Sequence, residues 1–596
     1  MGKSIALYIL LLVGNAAFLF WVWRKTRKSG TGSRNGSDGG GTRDPSTDSS
    51  GRSDGSVHET CGCPDFSTWR EPTGTGTHFP DGRPRPKRSS DAKSRSAGGG
   101  AHSAKSGSTG GDVVYHDSPD KPEKNEADTE PPVPSPVWTR PEGPFMVPPM
   151  VQIGKDETRL DCVEILFFPH PDQHGFTVGA FSDRQLAVSE PVASSVCLEG
   201  VPPHRRLAFT VSGLKPGEKF KYWVTQGGKV VFEAESQARL AKNTPHRIVI
   251  VGDTGNGSVE STRIAHRIYT DFKPQLLCIT GDVVYMHGRA SEYLRRFLPV
   301  YNSRVTEPGV GAPLLSEVLT FTSLGNHCVG KTEWFLTPLI DVYPDLHAHF
   351  MYWSLPLNGP LVDPRASKNI PELRGTEERI KRFLAVAGER FPRMGNYSFP
   401  NGDVFWLVLD ANAYMDWTNK ELRDWVEKEL IAAQSFKWKF VNFHQPGFSS
   451  NPKHGQEKRM RLLAEMFQQY GVDVVFNGHC HYYERSYPLK FKVDVQPDGS
   501  VIDKDGYVGG EFALDKTYDG ETVTKPEGVI YVTTGAGGAK LDPSGIHWRT
   551  EDWKPFTHKL IGDRHSFTVC DIDGDTATLR QIDMSGKEID KFVITK

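Results

Sequence analysis

The sequence predicts a protein of the α/β class in which a small antiparallel β-sandwich precedes a larger α/β sandwich domain. Between residues 145 and 240, short runs alternate apolar and polar residues, and polar turns with proline or glycine separate them. From residue 245 to 596, short continuous apolar runs alternate with helical segments instead. Alternating runs are typical of strands with one solvated face, and continuous runs are typical of strands buried in a parallel sheet.

Residues 1–24 are predicted to form a transmembrane anchor or a signal segment. Residues 5–23 are mostly apolar and are interrupted only by Gly14 and Asn15. As a helix that rises ~1.5 Å per residue, this run would reach about 28 Å, close to one hydrocarbon core. No A-x-A-like cleavage site follows, which favours an uncleaved single-pass anchor. The basic residues within 24–28 favour a cytosolic position for the rest of the chain by the positive-inside rule.

Residues 25–136 are predicted to form a disordered stalk rich in glycine and serine. Between residues 29 and 56, no side chain is more apolar than proline, so this stretch cannot bury enough surface to offset its conformational entropy. The whole chain has 71 basic and 73 acidic residues, a formal net charge of -2. This balance does not indicate a nucleic-acid-binding surface.

The first folded domain, residues 145–240, is expected to be a fibronectin type III-like β-sandwich. Several short strands at regular spacing, with turns such as Lys215–Gly217, are typical of this architecture. Cys162 and Cys197 both lie in this domain and could form a disulfide bond. The predicted strands are residues 163–168, 176–181, 206–214, 219–226 and 229–236.

In the second domain, residues 245–596, each short polar motif begins where a predicted strand ends. Predicted helices, such as Glu260–Phe272 and Asn419–Ala433, separate several of the strands. Ligands of open α/β sheets gather at the carboxyl ends of the strands, so these motifs can meet at one site. The motifs are GDTG (252–255), GDVVY (281–285), GNH (325–327), NFH (442–444) and GHCH (478–481).

The motifs supply carboxylate, phenol, amide and imidazole groups, which suit iron, manganese or zinc. Taken alone, each residue has a simpler interpretation: Asp253 could cap a helix, and Tyr285 could be a core aromatic residue. Five such motifs at five strand ends favour a metal centre. The candidate ligands are Asp253, Asp282, Tyr285, Asn326, His444, His479 and His481.

With these motifs, the chain resembles the purple acid phosphatases of the metallophosphoesterase superfamily. The pattern of that family is DxG, GDxxY, GNH followed by an acid, a strand-end histidine, and GHxH continuing as Y-E-R. GHCHYYERS (478–486) is a specific match, and further similarities occur at residues 352–360, 532–539 and 586–596. The resemblance covers roughly residues 147–596, so it implies a metallophosphoesterase α/β sandwich as the catalytic domain.

The resemblance implies a binuclear centre in which Asp282 bridges two metal ions. It also implies hydrolysis of phosphate monoesters by in-line attack of a metal-activated hydroxide. Fe(III) would be held by Asp253, Tyr285 and His481, and a divalent ion (Fe, Zn or Mn) by Asn326, His444 and His479.

Two further histidines match positions of the family that act on the substrate. His327 resembles the histidine that contacts the phosphate group. His454 resembles the residue proposed to protonate the leaving alkoxide, although it could also be a solvated loop residue.

The chain departs from the family at Cys328, which replaces an acid, and has a second thiol at Cys480. We expect both thiols to point into the core, but a disulfide between them or a different metal pair would also fit.

Two other functions remain open from the sequence. The same fold could hold manganese or zinc and act on phosphodiesters, nucleotides or phosphoproteins. Alternatively, it could be a catalytically decayed, membrane-tethered binding protein.

The expected partners are a phosphorylated small molecule or protein and the membrane, with no nucleic acid, and the sequence leaves the oligomeric state open. The resemblance favours a lumenal or extracellular catalytic domain, against the basic flank. Sequons for N-glycosylation begin at Asn35, Asn256 and Asn396.

Overall fold

The protein is described by a computed structural model that covers residues 114–117, 143–330, 339–366, 368–452, 454, 458–503, 507–542 and 549–596. The predicted anchor, residues 1–24, lies outside these residues, as does almost all of the predicted stalk. Within the described residues, every helix is too short or too polar to span a bilayer.

One short strand belongs to the segment that was predicted to be a disordered stalk. Strand β1 (Val114–Asp117) pairs antiparallel with the strand Gly510–Leu514, with Val114 opposite Ala513. The prediction of disorder for residues 25–136 is therefore wrong at these four residues. The local signal is the run Val113–Tyr115, whose β-branched and aromatic residues favour a strand within an otherwise polar stretch.

The first domain consists of two antiparallel sheets whose aromatic side chains meet. The order of the first sheet is β2-β3-β7-β5, with β6 also paired to β7, and the second is β4-β8-β9. Between the sheets, the ring centroids of Phe167 and Phe176 lie 5.5 Å apart, and those of Phe145 and Phe232 lie 6.3 Å apart. The fibronectin-like classification stays a prediction. The strands are β2 (Phe145–Gln152), β3 (Cys162–Pro169), β4 (Phe176–Phe181), β5 (Ala187–Val188), β6 (Val192–Val196), β7 (His204–Ser212), β8 (Lys219–Gln226) and β9 (Lys229–Gln237).

The expected pairing of Cys162 with Cys197 is wrong. Cys162 is a free, buried thiol, whereas Cys197 is disulfide-bonded. The strand register explains why they do not meet. Cys162 lies opposite Ser212 at one end of β7, and Cys197 follows Val196, which lies opposite His204 at the other end. A disulfide requires Cα atoms within about 7 Å, far less than the length of this strand.

The second domain contains two larger sheets that pack against each other. The six-stranded sheet has the order β12-β11-β10-β22-β23-β24, and the seven-stranded sheet has the order β13-β14-β15-β16-β20-β17-β21. Between them, the ring of Phe321 lies 4.8 Å from that of Trp406 and 4.9 Å from that of Phe399. The strands are β10 (His246–Val251), β11 (Leu276–Ile279), β12 (Leu319–Thr322), β13 (Tyr397–Asn401), β14 (Val404–Val408), β15 (Trp438–Asn442), β16 (Val474–Asn477), β17 (Tyr483–Ser486), β18 (Leu489–Val493), β19 (Gly510–Leu514), β20 (Ile530–Thr534), β21 (Thr557–Ile561), β22 (Ser566–Asp573), β23 (Thr576–Asp583) and β24 (Glu588–Thr595).

The two longer predicted helices are present, and a capping side chain begins each of them. Ser258 Oγ accepts a hydrogen bond from Ser261 N, and Asn419 Oδ1 accepts one from Leu422 N, as N-cap residues do. The first helix continues as a π-helical turn over Ile268–Phe272. The α-helices are α1 (Val259–Arg267), α2 (Ala290–Glu292), α3 (Leu298–Tyr301), α4 (Leu314–Glu317), α5 (His349–Tyr352), α6 (Glu377–Ala387), α7 (Lys420–Ala432) and α8 (Ala464–Gln469).

The sheet topology brings the five motifs to one edge of the domain. In the first sheet, β10, β11 and β12 are parallel, and three motifs directly follow them. In the second sheet, β15 and β16 are parallel, and the remaining two motifs follow them. The carboxyl ends of both sheets therefore contribute residues to the same site.

Candidate metal centre

Asp253, Tyr285 and His481 form one compact group of side chains. The phenol of Tyr285 donates a hydrogen bond of 2.7 Å to Asp253 Oδ1 and lies 3.1 Å from His481 Nε2. His481 Nε2 lies 3.4 Å from Asp253 Oδ1. Each pair of these three groups is therefore in contact, although the residues come from three separate loops.

Asp282, His444 and His479 form a second group, in which one ligand atom of each residue lies within 4.8 Å of the others. His444 joins the two groups, because its Nε2 lies 3.1 Å from Asp282 Oδ2 and 3.8 Å from Asp253 Oδ1. The backbone N–H of His479 also donates to Asp253 Oδ2 at 2.9 Å. The structure thus brings both carboxylates and three imidazoles into a single cluster.

The donor atoms of this cluster fit metal ions. Asp253 and Asp282 are buried, and among the described residues no lysine or arginine forms an ion pair with either carboxylate. The side chain of Asn326 is buried as well, and its Oδ1 has no hydrogen-bond partner in the described part of the chain. Buried carboxylates and amide oxygens need a cation or a hydrogen bond to offset their desolvation. Carboxylate, phenol, amide and imidazole ligands together suit iron, zinc or manganese.

Main-chain carbonyl groups orient the histidines of the site. His444 donates from Nδ1 to Thr280 O at 2.7 Å, and His481 donates from Nδ1 to Lys540 O at 2.6 Å. These bonds fix the tautomer and leave Nε2 of each ring to face the cluster, as is usual for histidine ligands. His327 likewise donates from Nδ1 to Met286 O at 2.8 Å. That carbonyl supplies an acceptor for His327, although Cys328 occupies the position at which the resemblance predicts an acid.

Three motif glycines are packed so closely against the site that a side chain would not fit. A Cβ at Gly325 would lie 2.1 Å from Asp282 Oδ1, and one at Gly478 would lie 2.6 Å from Asp253 Oδ2. At Gly281, where φ is +91°, a Cβ would lie 2.6 Å from His444 Nδ1. These glycines allow the main chain to approach the carboxylates and the imidazole directly.

The electrostatics of the cluster favour positive charge at its centre. Burial would raise the pKa of Asp282, but His444 and His327 hold it below its usual value. Burial lowers the pKa of His481, yet Asp253 and Asp542 raise it to about 9. Burial, reinforced by Asp253, raises the pKa of the Tyr285 phenol well above its ordinary value. A phenolate at Tyr285 therefore requires a strong cation beside it.

The two histidines predicted to act on the substrate also lie at this site. The backbone N–H of His327 donates to Asp282 Oδ1 at 2.8 Å, and the His327 ring lies 4.6 Å from the ring of Tyr285. His454 is buried, and its ring centroid lies 4.2 Å from that of His479. Both residues lie next to candidate ligands, and their catalytic roles stay predictions.

Cys328 and Cys480 do not form a disulfide, because both are free thiols. Both are fully buried, as expected from the sequence. Burial raises the pKa of Cys328 to about 12 and that of Cys480 well above its usual value. Neither group is therefore a thiolate at neutral pH, which removes the redox liability that a thiolate beside Fe(III) would bring.

Sequence reasoning missed several residues that support the site. Glu292 accepts hydrogen bonds from Met286 N and Arg289 N and so caps the loop after Tyr285. Asp542 accepts one from His481 N at 3.1 Å. Asp542 follows β20 and a glycine-rich turn, so the strand-end pattern that found the other motifs could have found it. Glu292 has no such signal.

Comparison with known proteins agrees with this geometry. The profile of the calcineurin-like phosphoesterase family matches residues 246–483. Purple acid phosphatase 23 of Arabidopsis thaliana is 30% identical over 43% of this chain and 51% of its own length. Purple acid phosphatase 15 of the same plant is 26% identical over 54% of this chain and 58% of its own length. The chain thus spans only about half the length of these curated relatives.

A solved structure supports the fold alone. The purple acid phosphatase from yellow lupin (Lupinus luteus) seeds superposes with a TM-score of 0.50 and 17% identity. The superposition covers 75% of this chain and 74% of the lupin protein.

Proposed function

We propose that this chain, a metallophosphoesterase of the purple acid phosphatase type, hydrolyses phosphate monoesters at a binuclear metal centre. The observation that supports this most directly is the pair of buried carboxylates, Asp253 and Asp282, which lack a lysine or arginine partner among the described residues. They lie instead among imidazoles, a phenol and an amide oxygen. Such a set binds cations and serves no evident purpose in packing.

The two groups of side chains correspond to two metal positions. Asp253, Tyr285 and His481 would hold Fe(III), because two of these three ligands are anionic when a trivalent ion is bound. Asp282 belongs to the second group and would bridge the two metal positions. The hydrogen bond that its Oδ1 accepts from the backbone N–H of His327 orients the carboxylate. When bound, the ions lower the pKa of an attacking water and neutralise the phosphoryl oxygens. The divalent ion, which can be iron, zinc or manganese, would be held by Asn326, His444 and His479.

His327 and His454 would act on the substrate directly. The bond from His327 Nδ1 to Met286 O leaves Nε2 to bind a phosphoryl oxygen once that nitrogen is protonated. His454 would give a proton to the oxygen of the leaving alcohol, which must otherwise depart as an alkoxide. Because His454 packs against the ligand His479, its ring lies on the side of the divalent ion.

Metal analysis of the purified protein, combined with an assay on p-nitrophenyl phosphate, tests this function. We expect two metal ions per chain, at least one of them iron, a violet colour, and hydrolysis with an acidic optimum. Colourless protein with manganese or zinc and a preference for phosphodiesters, nucleotides or phosphoproteins would favour the second candidate function. Metal-loaded protein that hydrolyses none of these substrates would contradict both and favour the decayed binding protein.

We also propose that residues 1–24 anchor the protein in a membrane and that the catalytic domain faces the lumen or the extracellular space. The disulfide at Cys197 supports an oxidising compartment. Protease protection of intact vesicles tests the orientation, since a cytosolic catalytic domain would be digested. Glycosylation at Asn396 is not a suitable reporter, because that side chain is buried and accepts a hydrogen bond from Asp410 N.

A further inference from the structure

Asp542 lies between two loops of the metal centre, although no motif contains it. Its Oδ2 accepts a hydrogen bond of 3.1 Å from the backbone N–H of His481, a candidate ligand. The same oxygen accepts a second bond, of 2.7 Å, from Nδ2 of Asn451. One carboxylate oxygen thus connects the loop after β16 with the loop after β15.

Asn451 extends this connection to the candidate proton donor. Its Oδ1 accepts a hydrogen bond of 3.0 Å from the backbone N–H of His454. The amide of Asn451 therefore uses its N–H towards Asp542 and its oxygen towards His454, so a flipped amide would lose both bonds. The chain of contacts runs from His481 through Asp542 and Asn451 to His454.

The loop that contains Asn451 is held firmly on its other side. Ser449 Oγ donates to Glu484 Oε2 at 2.9 Å, and Ser450 N donates to Glu484 Oε1 at 2.9 Å. Glu484 is buried in β17. Glu484 fixes residues 449 and 450, and the contact with Asp542 holds Asn451, whose Oδ1 in turn holds the backbone N–H of His454.

We propose that Asp542 is a positioning residue that couples the metal ligand His481 to the proton donor His454. Loss of its acceptor oxygen would loosen His481 and, through Asn451, move the His454 ring away from the leaving-group oxygen. This inference rests on the proposed function, because it assigns a donor to the same reaction. It adds a residue that no motif contains and that acts through His481 and Asn451.

The test compares Asp542→Ala, Asp542→Asn and Asn451→Ala with the wild-type protein. The matched control is Asp424→Ala, which removes an exposed carboxylate on helix α7. Each protein is assayed on p-nitrophenyl phosphate, whose leaving group departs without a proton, and on glycerol 2-phosphate, whose leaving group needs one. The dissociation constant for Zn²⁺ is measured separately by chelator competition on metal-depleted protein.

We expect Asp542→Ala to lower kcat/KM for glycerol 2-phosphate about 10-fold more than for p-nitrophenyl phosphate, a partial loss of general-acid catalysis. We expect its Zn²⁺ dissociation constant to rise about 10-fold, as for other residues that support metal ligands. Asn451→Ala should change the substrate ratio and leave the Zn²⁺ affinity nearly unchanged. Asp542→Asn keeps an acceptor oxygen and should restore both values to within about 3-fold of wild type.

An unchanged substrate ratio or an unchanged Zn²⁺ affinity in Asp542→Ala overturns the coupling, and so does a failure of Asp542→Asn to restore them. A change of equal size in the substrate ratio or the Zn²⁺ affinity of Asp424→Ala also overturns the coupling. If the wild-type protein binds metal but hydrolyses neither ester, the proposed function fails separately. The Zn²⁺ affinities of the Asp542 variants then decide whether Asp542 supports His481.

Discussion

A close contact at the site predicts a large effect from adding one methyl group at Gly325. A Cβ at this position would lie 2.1 Å from Asp282 Oδ1 and 2.4 Å from Asp282 N, whereas real Cβ contacts are essentially never under 3.0 Å. The Gly325→Ala variant must therefore move the Asp282 carboxylate or its own loop by roughly 1 Å. A displacement of about 1 Å at a catalytic group costs about 100-fold in rate, or about 2.7 kcal/mol of transition-state stabilisation.

The assay is kcat/KM for p-nitrophenyl phosphate together with the metal content of each protein. Gly309→Ala is the matched control, because a Cβ there meets no atom within 4 Å and Gly309 is exposed. Overpacking also costs about 1–3 kcal/mol of folding stability, so both variants are measured well below their unfolding temperatures. Wild-type activity and metal content in Gly325→Ala, or an equal loss in Gly309→Ala, would refute the reasoning.

Three further predictions follow from the site and the core. Asp282→Ala should reduce the metal content to one ion or fewer per chain and abolish turnover, because the two proposed metal positions would lose the ligand that they share; elemental analysis with two ions retained would contradict it. For the proposed Fe(III) centre, Tyr285→Phe should remove the visible absorption, because the phenolate would be the source of charge transfer to the metal; an unchanged spectrum would contradict the assignment of Tyr285 as a ligand. His349 is buried in helix α5, and burial lowers its pKa to about 3. Above its unfolded pKa of about 6.5, such a histidine is neutral in both states, and the native state keeps its full stability. As the pH falls towards the folded pKa, the unfolded chain takes up a proton that the folded chain does not, so the free energy of unfolding decreases. Between pH 7 and pH 5, this residue should cost the wild type about 2 kcal/mol of unfolding free energy. In urea titrations His349→Gln, which cannot take up a proton, should therefore lose about 2 kcal/mol less, and an equal loss in both proteins would contradict the assignment.

The part of the fold that positions the site could be predicted from the sequence. The strands expected at residues 247–251 and 472–476 contain the continuous apolar runs 248–251 and 474–476, and they form the buried strands β10 and β16 with nearly the expected boundaries. Motifs directly after such strands must meet at the carboxyl edge of the sheets. For this reason the seven candidate ligands could be named without knowledge of how the strands are ordered.

The contacts that hold the site together could not be predicted. Thr280, Lys540 and Met286 orient the histidines through their carbonyl oxygens, and every residue type has one, so no side-chain signature exists. The pairing of β1 with β19 joins residues that are nearly 400 positions apart, and short-range patterns do not report such contacts. The same limit explains the wrong pairing of Cys162, since both cysteines lie in one domain but at opposite ends of β7.

The metal stoichiometry of the wild-type chain and of His444→Ala tests most directly whether dispersed loops meet around two metal ions. His444 Nε2 lies within 4 Å of both Asp253 and Asp282, so this ring is central to the cluster. Elemental analysis should find two ions per chain in the wild type and fewer than two in the variant. One ion or none in the wild type, or two ions in His444→Ala, would contradict the binuclear centre.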